Sequence, residues 1–165
     1  FVKADILVDV CMTAAACRFV TPLTLQALSG RPVHADLWQS GSGNGMSHID
    51  LSRGADAIVV APASADFLAK IANGHADDLL STLTLARDCT LFVAPAMNRQ
   101  MWANAANQRN VARLIADGVV VLGPGSGDQA CGETGEGRML EPQEIFDAVI
   151  AWGQPKLLAG AAAQA

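Results

Sequence analysis

The side chains best placed to do chemistry follow short apolar runs or sit in glycine-rich stretches. Ser64 and Asp66 come just after Ala57-Ile58-Val59-Val60-Ala61-Pro62-Ala63. Asn98 comes just after Thr90-Leu91-Phe92-Val93-Ala94-Pro95-Ala96-Met97. An asparagine there can hydrogen-bond a substrate carboxylate or amide, or simply cap the next helix. His48 stands beside Gln39 to Gly45 (QSGSGNG), whose glycines and serines predict a mobile surface loop. An imidazole so placed can act as acid or base near neutral pH. A surface or helix-start histidine has the same local sequence, and spacing alone favours that simpler assignment. Cys131 lies in Gly123 to Met139 (GPGSGDQACGETGEGRM), which reads as a long glycine-rich loop, a lid or clamp. A thiol there suits nucleophilic or acid chemistry better than core filling. No full G-x-G-x-x-G follows a strand and opens a helix, so a nucleotide fingerprint is not supported. Thr13, before Ala14-Ala15-Ala16, is either a helix N-cap or a position that favours an anion.

A sheet is needed to hold these groups. Ala57 to Val60 and Thr90 to Val93 read as strands buried on both faces, each stopped by a proline. Asp66 to Leu85 between them has helical spacing, and the polar break Asn73 to Asp78 divides it into two helices. Asp77 or Asp78 then caps the second helix. Adjacent carboxylates do not share a helix face, so a cap and a solvated side chain outweigh a metal site. Strand, helices, strand make a parallel βαβ unit, and such sheets place ligands beyond the carboxyl ends of their strands. Ser64, Asp66 and Asn98 are thereby predicted near one rim. Around this unit the sequence predicts a strand at Ile6 to Val10 and a helix opened by Thr21-Pro22 and ended by Gly30. A further helix runs from Asn104 to Ile115, with Val111, Leu114 and Ile115 toward the core. Val119 to Leu122 is another strand, and a last helix, Gln143 to Trp152, is broken by Gln154-Pro155-Lys156. Phe19 and Val20 are assigned to core or interface.

The 165 residues suffice for one domain with a real core. Hydrophobic residues make up 51% and charged residues only 16%, too few to cover a monomer, which predicts a buried subunit interface. A net charge of -5 argues against nucleic acid as a partner. No apolar run approaches the ~20 residues of a membrane span. The four cysteines form no CxxC and no His/Cys metal spacing, so reduced thiols, a cytoplasmic location and no metal are expected.

Longer motifs add to this. MTAAACRFVTPLTLQALSG, GMSHIDL with the following RGADAIVVAPASADFLAKIANGHADDLLST, APAMNRQMW and ACGETGEGRML occur in this order, and the chain resembles the flavin-containing cysteine decarboxylases from about Cys11 to Lys156. Within that family it is most similar to the branch acting on phosphopantothenoylcysteine, which forms the amino-terminal half of a bifunctional bacterial coenzyme A biosynthesis flavoprotein. The resemblance implies a three-layer, parallel-sheet flavodoxin-like or Rossmann-like flavoprotein domain, with FMN as cofactor. It implies catalytic roles for His48 and for Cys131, the latter as proton donor. Asn98, with Ala96 and Met97, would bind substrate. Thr13, Phe19, Ser64, Ala65, Asp66 and Phe67 would bind the flavin; Asp66 replaces the asparagine of the family's PASANT-type loop. Alkyl carboxylates hold their carbon dioxide because the resulting carbanion has nowhere to put its electrons. The implied chemistry oxidises the cysteinyl thiol to a thioaldehyde, decarboxylates it to an enethiolate, and re-reduces that to phosphopantetheine.

The resemblance also implies homotrimers or assemblies of trimers, and a phosphopantothenoylcysteine synthetase domain, fused or separate. The family's opening strand and GGIAAYK-type turn have no counterpart here. The expected organisation is therefore a flavin-binding decarboxylase domain at residues 1–153, lacking that strand and turn, and a linker remnant at 154–165. A peptidyl-cysteine decarboxylase would keep His48 and the Asn98 loop, but the segment around Cys131 argues against it. A flavin prenyltransferase would need another loop in place of PAMN. A non-catalytic flavin-binding regulatory subunit of the same fold would lose the histidine or the thiol. Retention of His48, Asn98 and Cys131 favours an enzyme, a carboxy-lyase.

Overall fold

The computed structural model describes the backbone of residues 1–38, 47–130 and 132–162, and the side chains of 1–38, 49–130 and 132–153. The predicted loop Gln39 to Gly45 and Cys131 lie outside the described residues. The chain divides into two compact units, Phe1–Ile58 with Asp66–Leu91 and Val59–Ala65 with Phe92–Ala165.

In the first unit, β1 (Val10–Cys11) pairs in parallel with β2 (Val33–His34), Val10 opposite Val33 and Cys11 opposite His34. The strand begins later than the predicted Ile6 to Val10. A strand needs a hydrogen-bonded neighbour, and residues 6–9 pair with no strand among the described residues; Leu7 is 81% exposed. A 3-10 turn at Val2–Ala4 precedes them. The Thr13 Oγ1 accepts from the Ala16 amide at 3.1 Å, but no α-helix follows: the next element is a 3-10 turn, Ala16–Arg18, whose N-cap position is Ala15. Helix α1 (Pro22–Ser29) has the predicted ends: the Thr21 hydroxyl accepts from the Thr24 amide, Pro22 opens it, and Gly30 closes it at φ 70. Phe19 is 93% exposed and so is not a core residue of this chain.

Helix α2 (Ser47–Arg53) carries His48. Helices α3 (Ala65–Ala72) and α4 (Leu79–Ala86) are separated at the predicted polar break, and α2 packs on α4. Asp78 forms a capping box with Ser81: its Oδ1 accepts from the Ser81 amide at 2.8 Å, and its own amide donates to Ser81 Oγ at 3.1 Å. Asp77 is solvated and pairs with Lys70 at 3.0 Å. The inner faces bury Phe67, Leu68, Leu79 and Leu83.

Strands β3 (Ala57–Ala63), β4 (Thr90–Pro95) and β5 (Val120–Val121) form a sheet in that order. β4 and β5 are parallel, Phe92 opposite Val120 and Val93 opposite Val121. β4 is buried from Leu91 to Pro95, the two-faced burial its sequence predicts. β3 differs: Ile58 and Val60 are buried while Ala57 and Val59 are half-buried. Pro95 closes β4 as predicted, whereas Pro62 lies inside β3 and does not stop it. β3 stands at the edge of this three-stranded sheet, where a residue without an N–H is tolerated, and Pro62 is exposed.

Helix α5 (Arg99–Ala103) follows β4, and α6 (Ala105–Ala116) follows with Asn104 as its cap. The buried stripe of α6 is Asn107, Val111 and Leu114, which leaves Ile115 on its flank at 56% exposure, outside the predicted core. Gly123 to Met139 is not a structureless loop. It contains an antiparallel hairpin, β6 (Gly125–Asp128) and β7 (Thr134–Arg138). Helix α7 (Pro142–Ala162) passes through Gln154-Pro155-Lys156, the predicted break. Proline there removes a backbone donor and crowds the preceding turn, and the leucines and alanines that follow, strong helix formers, oppose that cost. Trp152 of α7 meets Phe92 edge-on, with ring centroids 5.3 Å apart.

Asp78→Ala removes half of the capping box and should cost about 1 kcal/mol of unfolding free energy. Urea denaturation should show a lower midpoint with an unchanged slope.

Candidate functional site

Backbone bonds at the carboxyl ends of two strands build the site. The Ala96 amide donates to the Ala63 carbonyl at 3.0 Å, so β3 and β4 end side by side. This brings Ser64 and the Ala96-Met97-Asn98 segment to one rim, as predicted. Ser64 is exposed, and Ala96, Met97 and Asn98 are half-buried.

The hairpin closes on this rim. The Met97 amide donates to the Gly137 carbonyl at 2.9 Å. The Asn98 Nδ2 donates to Glu133 Oε2 at 2.9 Å, while its Oδ1 caps α5 by accepting from the Gln100 amide at 2.8 Å. Glu133 Oε1 accepts from Gln100 Nε2 at 3.2 Å, and Arg99 Nε lies 3.7 Å from Glu133 Oε2. Gln129 completes the seam: its Oε1 accepts from the Arg99 amide at 3.1 Å and its Nε2 donates to the Glu136 carbonyl at 3.1 Å. Asn98 is thus a cap and also a donor to a carboxylate.

Glycine is required along this seam. Gly137 is buried with φ 128, and a Cβ there would press into the Met97 carbonyl. A Cβ on Gly135 would stand 3.0 Å from Arg99 Cδ. Gly137 is needed because two backbones meet there, a tertiary demand that sequence patterning read as a loop. Sequence reasoning also missed Glu133 and Gln129. The available signal was a carboxylate and an amide flanking Cys131 in an otherwise small-residue stretch.

The remaining predicted residues belong to other elements. Ser64 and Ala65 lead into α3 among small side chains, so hydroxyl and helix-start N–H groups there suit an anionic group. Asp66 is exposed in the first turn of α3, whereas the Phe67 ring is 7% exposed in the core. In the first unit, Thr13 lines a cavity of about 160 Å³ with Met12, Asp36, Leu37, Trp38 and Leu80. Near it, burial and then the charge of Asp78 push the Cys11 thiol up to about 12. The backbone of His48 lies in the first turn of α2, and its side chain, like Cys131, is outside the description.

Residues 2–154 match the Flavoprotein family. The chain belongs to that family. Among Flavoprotein relatives, the coenzyme A biosynthesis bifunctional protein CoaBC of Haemophilus influenzae is 51% identical over 147 residues, covering 89% of this chain and 37% of that protein. The chain therefore spans a little over a third of the length of the curated relatives it matches. A solved structure of a PPC decarboxylase cysteine-to-serine mutant, complexed with pantothenoylaminoethenethiol, superposes with a TM-score of 0.82 at 34% identity, covering 92% of this chain and 86% of that one. The FMN-dependent cysteine decarboxylase SpaF superposes at 0.69 with 38% identity, over 78% and 71% of the two chains. The Flavoprotein fold of this chain is the flavodoxin-like α/β fold with parallel strands that its sequence predicts.

Gly137→Ala should lower stability by about 1–3 kcal/mol through strain and collision. Hydrogen exchange at the Met97 amide should accelerate more than exchange in β4. Cys11 should resist iodoacetamide at pH 8 in the native protein and react after unfolding, read by mass spectrometry. The sign for stability follows from the raised pKa. Below the ordinary value of 9.0 the thiol is neutral in both states. Above it the unfolded thiol ionises first, so its contribution is lost as pH rises toward about 12.

Proposed function

We propose that this chain carries out FMN-dependent decarboxylation of phosphopantothenoylcysteine to phosphopantetheine, a step of coenzyme A biosynthesis. The observation that carries this reading is the seam itself. The Ala94-Pro95-Ala96-Met97-Asn98 segment and the hairpin bearing ACGETGEGRM are far apart in sequence and are joined by Met97–Gly137 and Asn98–Glu133. The relatives' names, and the pantothenoylaminoethenethiol bound to the related cysteine mutant, support the substrate class.

FMN fits the chemistry of the residues, taken one segment at a time. Ser64 and Ala65 offer a hydroxyl and a helix start among alanines for a phosphate. Asp66 stands exposed beside them, and the buried Phe67 anchors that helix. Thr13 offers a hydroxyl and Phe19 an exposed apolar ring. FMN, held there, would supply the two-electron, hydride-accepting sink that an alkyl carboxylate lacks.

The protein's share is positioning and proton management. Asn98 holds the substrate carboxylate through an amide N–H, with Ala96 and Met97 preceding it in the same segment. His48 takes the proton from the substrate thiol, or stabilises the thiolate electrostatically. The Cys131 thiol delivers a proton to the substrate carbon from which the carboxyl group departed. A fused synthetase half is part of the same proposal, since the relatives are bifunctional. Assembly into homotrimers or groups of trimers is proposed as well, supported by Phe19 at 93% exposure and Trp38 at 84%.

FMN-loaded protein should release carbon dioxide from phosphopantothenoylcysteine and yield phosphopantetheine. Turnover only of peptides ending in cysteine would overturn the substrate assignment. Cys131→Ser should still release carbon dioxide but accumulate the enethiol, and a normal phosphopantetheine yield would remove the proton-donor role. His48→Asn should slow carbon dioxide release on the order of 10²–10⁴-fold, measured in single turnover.

A further inference from the structure

We infer that Glu133 is a positioning residue that fixes the Asn98 amide as a donor toward the substrate carboxylate. The inference rests on the carboxylate-binding role proposed for Asn98. An asparagine amide has nearly the same shape in two orientations, one presenting nitrogen and the other oxygen. Only the nitrogen attracts a carboxylate; the flipped oxygen would repel it. Two contacts select the orientation here. Asn98 Oδ1 accepts from the Gln100 amide at 2.8 Å, and Asn98 Nδ2 donates to Glu133 Oε2 at 2.9 Å. A flipped amide would set its oxygen against the Glu133 carboxylate and its NH₂ against the Gln100 N–H, losing both bonds.

Glutamate suits this task for a chemical reason. An ionised carboxylate only accepts, so it tolerates nitrogen and rejects oxygen, whereas a glutamine would tolerate either. The carboxylate is itself held in place. Its other oxygen accepts from Gln100 Nε2 at 3.2 Å, and Arg99 Nε at 3.7 Å offsets its charge. The offset matters, because an uncompensated anion beside Asn98 would oppose the anion that Asn98 is to bind.

The test compares two ligands at equilibrium on the FMN-loaded protein. Phosphopantothenoylserine carries the carboxylate and no thiol; phosphopantetheine lacks the carboxylate. Glu133→Ala should weaken the serine analogue about ten- to a hundredfold, the worth of one hydrogen bond to a charged group. Phosphopantetheine binding should stay within about twofold of wild type by the same reasoning. Glu133→Gln keeps one acceptor and the shape of the side chain, so its loss should be smaller and again confined to the carboxylate ligand. Equal weakening of both ligands would make Glu133 a structural tie only, and no change in either would remove it from the site. A wild-type protein that binds neither ligand would overturn the substrate assignment and this inference together. Tight wild-type binding of the serine analogue with an unchanged Glu133→Ala variant would overturn this inference alone.

Discussion

The bond from the Met97 amide to the Gly137 carbonyl sets the rest of the site. It requires two backbones to approach with no side chain between them, and only glycine at 137 permits that. Once the backbones touch, the polar side chains on either side come within reach. Asn98, Gln100 and Arg99 face Glu133 and Gln129 across a short gap and complete one another's hydrogen bonds. The sheet contributes by ending β4 beside β3, which fixes where the Met97 amide stands. A backbone contact therefore governs which side chains can cooperate, and a site of soft polar groups gains a rigid frame.

Legibility in the sequence followed the strength of local signals. The ends of α1 are written in Thr21, Pro22 and Gly30, and the break between α3 and α4 in the polar run closed by Asp78; each is decided by neighbours a few residues away. β4 was legible because burial on both faces leaves a continuous apolar run. β1 was misjudged, since Ile6 and Leu7 look like strand residues but pair with no strand among the described residues. A helix through Pro155 and a strand through Pro62 show that a proline does not by itself end an element, although Pro95 does close β4. Ile115 shows the limit of periodicity, because a face is set by what packs on it.

The site was half legible. Asn98 stood out by its place after a strand, whereas His48 and Cys131 were singled out by motif alone and their side chains lie outside the described residues. Glu133 was passed over because its partner lies 35 residues away in sequence, and only its place beside Cys131 hinted at a role. The hairpin was invisible for a related reason. Strands are recognised by alternating apolar residues, and Gly125-Ser126-Gly127-Asp128 has none. Its pairing depends on backbone bonds and on glycines that let it lie flat, a tertiary demand with no periodic signature.

The glycines also divide the hairpin into positions open and closed to evolutionary drift. Gly135 and Gly137 alternate along β7 with the exposed Thr134, Glu136 and Arg138. The pleat turns one set toward α5 and leaves the other facing solvent. A lineage can therefore rewrite the outward set, changing charge or partners, while the inward set stays fixed by the space available. β7 behaves as a printed strip with one blank side: new instructions can be added on its outer face without erasing the ones that hold the site.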